Sequence, residues 1–147
     1  MPNLTDIARE IISAYNAGNS QQYKKHLSGN IVYDEVGTGR KIQGIDAVTA
    51  VWEQWRKTFS DVKGTVANAG NFGNTAILEI TWQGTQSGPL DLGGTTHPSS
   101  GKRMTTRSTQ VLVFDGDKVK ECRHYFDMLS MLQQVGAIPT TTRATGA

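Results

Sequence analysis

The chain of 147 residues is poor in the residues that build disulfide-bonded and metal-stabilised folds. Its single cysteine, Cys122, excludes a disulfide within the chain. Cys122 and His124 stand two apart, as metal ligands can, but the other histidines, His26 and His97, are distant in sequence. We therefore predict neither a disulfide framework nor a zinc site.

Long apolar runs and an excess of one charge are also lacking. No stretch approaches the roughly 20 apolar residues of a transmembrane helix, and the N-terminus lacks the basic and apolar regions of a signal peptide. Fifteen Lys and Arg against thirteen Asp and Glu leave a net charge of +2, too small a bias to favour nucleic acid. These absences predict a cytoplasmic protein that binds neither membrane nor nucleic acid.

The apolar residues are spaced as in helices in the first part of the chain and mostly as in strands in the later part. Apolar residues from Leu4 to Tyr15 predict a first helix, Ser20 begins a short second one, and Asp46 opens a third with its apolar stripe at Val48, Val51, Trp52, Trp55 and Phe59. Strands are predicted near residues 30–37, 62–69, 76–83, 103–114 and 118–126, and a closing helix over 128–135. Residues 37–44 are predicted to form a connector, and residues 88–101 a loop.

This order predicts one α+β domain over residues 1–139, with helices on one face of a curved, mostly antiparallel sheet. Residues 140–147 are polar and aperiodic, which predicts a flexible C-terminal tail. The last strand has mixed residues on both faces. We therefore predict a homodimer joined through the outer sheet face, with Cys122, His124 and Phe126 in the interface.

The last strand also carries the strongest candidates for chemistry. By a period of two counted from Val119, Glu121, Arg123, Tyr125 and Asp127 share one side of it with Val119. Glu121 and Arg123 are interpreted as a surface ion pair. Asp127 precedes "MLSMLQQVG", where an aspartate can cap a helix, and it can also serve as an acid or base if it is buried.

Four stretches resemble, in order, the SnoaL-like polyketide cyclases over residues 6–138. They are "YNAGNSQQYKKHLSGNIVYDEVGTGRKIQGIDAVTAVWEQWRKTFSDV", "ITWQGTQSGPL", "GKRMTTRSTQVLVFDGDKV" and "RHYFDMLSMLQQVG". The resemblance implies the nuclear transport factor 2-like cone, a curved sheet packed around N-terminal helices with an internal cavity. Ketosteroid isomerase and limonene epoxide hydrolase share this fold with different chemistry, so fold does not decide function.

The resemblance implies a catalytic acid/base at Asp127, because the cyclases use an aspartate at the end of the last strand. The implied reaction is an intramolecular aldol closure of a hydrophobic, polyketide-like substrate of secondary metabolism, without metal or cofactor. Many relatives have a histidine where this chain has Gln86. The predicted substrate-binding residues are Tyr15, Trp52, Trp55, Phe59, Trp82, Gln86, Arg107, Gln110 and Tyr125.

Two alternatives remain open at this stage. The first is a small-molecule binding protein with the same cavity and no catalysis, which predicts a cavity without ionisable groups. The second is a hydroxylase or an epoxide hydrolase of the same superfamily. An epoxide hydrolase predicts two acids bridged by an arginine, for which Asp127, Arg107 and Asp34 are the candidates.

Overall fold

The computed structural model describes residues 3–92 and 94–139. The predicted tail, 140–147, lies outside the described residues. Within them the elements are α1 (Leu4–Asn16), α2 (Ser20–Lys24), β1 (Leu27–Glu35), β2 (Arg40–Gln43), α3 (Ile45–Thr58), β3 (Lys63–Phe72), β4 (Thr75–Thr85), β5 (Leu90–Leu92), β6 (Thr95–His97), β7 (Arg103–Asp115), β8 (Lys118–Phe126) and α4 (Met128–Gln134).

Six strands form one curved sheet in the order β2-β1-β8-β7-β4-β3. Strand β1 runs parallel to β8, and the other neighbours are antiparallel. The predicted α+β layout, with N-terminal helices packed on a curved, mostly antiparallel sheet, is therefore confirmed, although β1 and β2 of this sheet precede α3. The predicted connector 37–44 contains β2, and the predicted loop 88–101 contains the small β5–β6 hairpin, so both segments hold more structure than their glycine content indicated.

The helices cover the inner face of this sheet because each has one apolar side. Helix α1 begins where the Asn3 side chain accepts hydrogen bonds from the backbone N–H groups of Thr5 and Asp6, and it buries Ile7, Ile11 and Tyr15. In β4 every second residue, from Ala76 to Trp82, is buried, as the alternation predicts. No helix among the described residues is long and apolar enough to cross a membrane.

Two hydrophobic clusters divide the interior. The larger one joins α1 and α3 to the sheet, and its rings pack in tilted and edge-on pairs, such as Tyr15 with Trp82 at 5.5 Å between centroids. The smaller one joins Phe59 and Leu90 to Met104 and Met131, so that α4 and the β5–β6 hairpin close one end of the sheet. A cavity lies between the two clusters and has walls from both.

Candidate functional site

The cavity is enclosed mainly by aromatic and aliphatic side chains. The cavity has a volume of about 80 Å³, and together with the open space at its mouth it measures about 670 Å³. Of the described residues that line it, none is Asp, Glu, Lys or Arg. The lining residues are Ile11, Ile12, Tyr15, Tyr33, Trp52, Trp55, Phe59, Val62, Trp82, Met104, Gln110, His124, Phe126 and Met131.

Six of the nine predicted substrate-binding residues line this cavity: Tyr15, Trp52, Trp55, Phe59, Trp82 and Gln110. Their polar tips are mostly engaged with the protein. The Tyr15 hydroxyl donates to the Trp52 carbonyl oxygen at 3.0 Å, and Trp82 Nε1 donates to Ser108 Oγ at 2.8 Å. These side chains therefore offer a ligand mainly their ring surfaces, and their role in binding stays a prediction.

The other three predicted binding residues do not line the cavity. Arg107 is exposed, because the inward positions of β7 are the even-numbered ones from Met104 to Phe114. Tyr125 is 43% exposed and lies opposite Thr109 on the outer face of the sheet. Gln86 is buried, but its Nε2 donates to the carbonyl oxygens of Gly88 and Pro98, so it organises the 86–101 segment.

The inward face of β8 is the reverse of the predicted one. Val119 lies opposite Phe114 and Glu121 lies opposite Val113, which leaves Lys120 as an extra residue in a β-bulge. Beyond the bulge, Cys122, His124 and Phe126 point to the helix side, whereas Glu121, Arg123 and Tyr125 lie on the outer face. A one-residue bulge exchanges the faces of every later side chain, so the period of two counted through Lys120 was wrong.

The bulge also corrects the predicted dimer surface. Cys122 is fully buried, and both His124 and Phe126 line the cavity, so these three cannot form an interface on the outer face. Burial raises the pKa of the Cys122 thiol to about 12, so this cysteine stays a thiol. Among the described residues, no three His, Cys, Asp or Glu side chains are arranged so that they could hold a metal ion together.

His124 is the ionisable group that the bulge places in the cavity wall. Its Nδ1 lies 2.7 Å from the Tyr33 hydroxyl, while its Nε2 is buried without a hydrogen-bond partner among the described residues. Burial lowers the pKa of His124 to about 4, although the nearby Glu35 carboxylate acts in the opposite direction. At neutral pH the ring is therefore uncharged, with one nitrogen anchored and the other available.

Gln110 lies directly opposite His124 in the antiparallel β7–β8 pair. Its side chain is 7% exposed, lines the cavity and forms no hydrogen bond with the described residues. Opposite residues of such a pair have Cβ atoms about 4.5–5.5 Å apart. A ligand of a few atoms can therefore contact the Gln110 amide and the His124 ring together.

Behind His124 lies a buried carboxylate, Glu35, on the neighbouring strand β1. It is 0% exposed and accepts hydrogen bonds from Arg40 Nε at 2.7 Å, Trp55 Nε1 at 2.8 Å, the Tyr33 hydroxyl at 3.1 Å and the Thr38 hydroxyl. Burial by itself raises the pKa of Glu35, but the hydrogen bonds from Arg40, Thr38 and Trp55 outweigh it and hold the pKa below its ordinary value. Glu35 is thus an ionised carboxylate held next to the cavity wall.

Asp127, the predicted acid/base, is exposed and starts α4. Its Oδ1 accepts a hydrogen bond from the Ser130 backbone N–H at 3.0 Å, so the predicted helix cap is present. Asp127 does not line the cavity. Its catalytic role stays a prediction that the cavity geometry does not favour.

The acids and the arginine of the epoxide hydrolase alternative are not brought together. Asp34 lies beside Arg123 in the β1–β8 pairing, on the face opposite to Tyr33 and Glu35. None of Asp34, Arg107 and Asp127 lines the cavity. His97, in the β5–β6 hairpin, is also absent from the lining.

Sequence reasoning missed Tyr33, Glu35 and His124, although one signal was present. Val119 and Cys122 are both apolar but lie three positions apart in the sequence. If both side chains point inward from the same strand, a bulge must lie between them. Counting from Cys122 instead of Val119 places His124 inside.

Comparisons with known proteins agree with this architecture. AclR, a proposed hydroxylase from Streptomyces galilaeus, superimposes with a TM-score of 0.79 at 23% identity, over 96% of this chain and 85% of that one. A proposed SnoaL-like polyketide cyclase from Jannaschia sp. CCS1 superimposes with a TM-score of 0.81 at 16% identity, over 92% of this chain and 93% of that one. A Catenulispora acidiphila protein with a ketosteroid isomerase-like fold superimposes with a TM-score of 0.74 at 15% identity, over 89% of this chain and 92% of that one. At these identities the likeness shows the fold alone, which is the predicted cone.

The sequence itself gives the family. No curated protein matches the chain significantly. The model of the SnoaL-like polyketide cyclase family, however, matches residues 5–135, nearly the whole described chain. The chain therefore belongs to the SnoaL-like polyketide cyclase family.

Proposed function

We propose that this chain is a cofactor-free acid/base enzyme that closes a ring in a hydrophobic, polyketide-like molecule by an intramolecular aldol reaction. Membership of the cyclase family supports the reaction class. The observation that carries the proposal is His124 in the cavity wall, with Nδ1 bonded to Tyr33 and a buried, unpartnered Nε2. The proposal therefore moves the predicted base from Asp127 to His124.

In the first step, the lone pair of His124 Nε2 takes a proton from a carbon next to a substrate carbonyl. The carbonyl oxygen becomes an enolate oxygen and accepts a hydrogen bond from the amide of Gln110, which lies opposite. The enolate carbon then attacks a second carbonyl of the same molecule and forms the new carbon–carbon bond. The imidazolium of His124 returns its proton to the resulting alkoxide, so protons balance without a cofactor.

The low pKa of His124 suits it to a reaction that creates negative charge. In the folded protein, burial disfavours the imidazolium form of His124. An enolate formed beside the ring is an opposite charge at close range and stabilises the imidazolium, which water no longer does. This stabilisation grows as proton transfer proceeds, so it lowers the barrier more than it strengthens substrate binding.

The aromatic walls support a flat, uncharged substrate. Trp55 stacks on Phe59 at 6.3 Å between centroids, and Phe126 meets Trp55 edge-on at 6.1 Å. Because the described lining carries no charged side chain, a charged substrate would lose its hydration without compensation. A polycyclic ketone satisfies both conditions.

Deuterium exchange tests the first chemical step without knowledge of the natural substrate. The probe is β-tetralone, a bicyclic ketone, incubated with the protein in heavy water and followed by NMR at the carbon next to the carbonyl. We expect the wild type to accelerate exchange and His124→Phe to reduce that acceleration roughly 10²–10⁴-fold, the usual contribution of a positioned acid or base. His97→Phe, outside the cavity lining, is the matched control and should exchange like wild type.

The same assay distinguishes the enzyme from a binding protein. β-Tetralone that quenches tryptophan fluorescence, and so binds, but exchanges no faster than in buffer contradicts the proposal and supports a binding protein. Equal exchange by the wild type and His124→Phe contradicts the assignment of the base.

A further inference from the structure

The hydrogen bonds on the side of His124 that faces away from the cavity indicate which nitrogen of its ring carries the hydrogen. Tyr33 and Glu35 lie two apart on β1, so both point to the same side of the sheet. The parallel register places Tyr33 beside Cys122 and Glu35 beside His124. As a result, the Tyr33 hydroxyl lies between two groups, 3.1 Å from Glu35 Oε2 and 2.7 Å from His124 Nδ1.

The single proton of the Tyr33 hydroxyl can be given to only one of these neighbours. Glu35 is ionised, so its oxygens can only accept. If Tyr33 donated to His124 instead, the lone pairs of its oxygen would face the negative Oε2 at 3.1 Å, a repulsive contact. Burial and the Glu35 charge also raise the pKa of Tyr33 well above its ordinary value, so the phenol keeps its proton.

The direction of the chain of hydrogen bonds follows from this step. Tyr33 donates to Glu35, so its oxygen accepts a hydrogen bond from His124, and the hydrogen of the neutral ring must lie on Nδ1. We infer that Glu35, acting through Tyr33, is a positioning residue that fixes His124 in the Nδ1–H tautomer and so keeps the lone pair of Nε2 free to act as a base. A carboxylate that orients a histidine is a recurrent device of acid/base sites, and here a tyrosine is inserted between the two.

The surroundings of Glu35 explain why its charge persists without a bulk-water contact. Arg40 and Thr38 bind Oε1, while Trp55 and Tyr33 bind Oε2, so each oxygen has two donors. The Arg40 side chain is 36% exposed and connects the buried carboxylate to the surface. This arrangement leaves a negative charge near His124 that favours the imidazolium formed during catalysis.

The tautomer can be measured without any substrate. Nitrogen NMR shifts of labelled histidine distinguish a protonated from an unprotonated ring nitrogen, and the loss of signals in His124→Phe identifies His124. We expect the Nδ1–H form in the wild type. In Tyr33→Phe, where Nδ1 has lost its acceptor, we expect the Nε2–H form to become populated. An Nε2–H ring in the wild type, or an unchanged Nδ1–H ring in Tyr33→Phe, would overturn the inference.

A second variant tests the role of the charge, and this role in catalysis rests on the proposed function. In Glu35→Gln, we expect β-tetralone exchange to fall roughly 10- to 100-fold, the same range as for carboxylates that orient a metal-bound histidine. Without the negative charge, the acid limb of its pH–rate profile should also move to lower pH. Glu121→Gln, on the outer face of β8, is the matched control and should change neither. An acid limb that stays in place in a folded Glu35→Gln protein would overturn the electrostatic role.

The two proposals fail in different ways. A wild type with the Nδ1–H tautomer but no exchange activity contradicts the proposed function and leaves the tautomer assignment intact. An active wild type with the Nε2–H tautomer contradicts the relay and the assignment of Nε2 as the base, and leaves the ring-closing reaction itself intact. Because the hydroxyl removed in Tyr33→Phe is a small change, that variant still tests the relay if Glu35→Gln does not fold.

Discussion

The buried histidine should make the protein sensitive to mild acid. In the unfolded chain, His124 has an ordinary pKa of about 6.5, whereas in the folded protein burial lowers its pKa to about 4. Between these values the unfolded state binds a proton that the folded state does not. The free energy of unfolding is therefore fully present above about pH 6.5 and falls as the pH is lowered toward about 4.

The magnitude follows from the difference between the two pKa values. A difference of about 2.5 at about 1.4 kcal/mol per pKa unit corresponds to a loss of roughly 3 kcal/mol. The Nε2 atom of His124 is buried, but the residue as a whole is only partly buried, so this value is an upper bound. A domain of this size has a total stability of roughly 5–15 kcal/mol, so the loss is a large fraction of it.

Urea denaturation followed by tryptophan fluorescence measures this loss across the interval from about pH 7 to about pH 4.5. His124→Phe should be less acid-sensitive than the wild type, because phenylalanine cannot bind the proton. Effects of the other titrating groups are common to both proteins and cancel in the difference. His97→Phe serves as the control and should keep the full loss of the wild type. A wild type and His124→Phe whose stabilities differ by the same amount at every pH would refute the reasoning.

Three further predictions concern residues outside the relay. Asp127→Ala should lower the free energy of unfolding by about 1 kcal/mol through loss of the α4 cap. Asp127→Asn keeps an acceptor and should have the melting temperature of the wild type. A large loss of β-tetralone exchange in a stable Asp127→Asn protein would restore Asp127 as the catalyst. Trp55→Ala should cost less than the roughly 3–5 kcal/mol of a core tryptophan, because Trp55 is only partly buried and borders the cavity, and it should weaken binding of β-tetralone. A full core penalty in urea denaturation with unchanged binding would remove Trp55 from the site. We also predict a homodimer through the outer sheet face, now centred on Val111, Val113 and Tyr125, and light scattering that gives a monomer mass at micromolar concentration would contradict it.

The elements built from local signals were predicted well. The apolar spacing from Leu4 to Tyr15 gave α1, the alternation from Ala76 to Trp82 gave the inner face of β4, and the cap chemistry of Asp127 gave the start of α4. Each of these depends on residues within one or two turns or along one strand. Their geometry is fixed by backbone periodicity and short-range hydrogen bonds, which the sequence alone contains.

The candidate site depends instead on contacts between distant parts of the chain. The bulge at Lys120 decides that His124 rather than Tyr125 faces inward, and the parallel pairing of β1 with β8 brings Glu35 beside it from 89 positions earlier. The alternation of residues along one strand does not reveal a bulge, because the position of the extra residue depends on the register with the neighbouring strands. The sequence by itself determined most of the elements, the family and most of the aromatic wall. The tertiary structure decided which face of β8 points into the cavity and which buried carboxylate lies behind it.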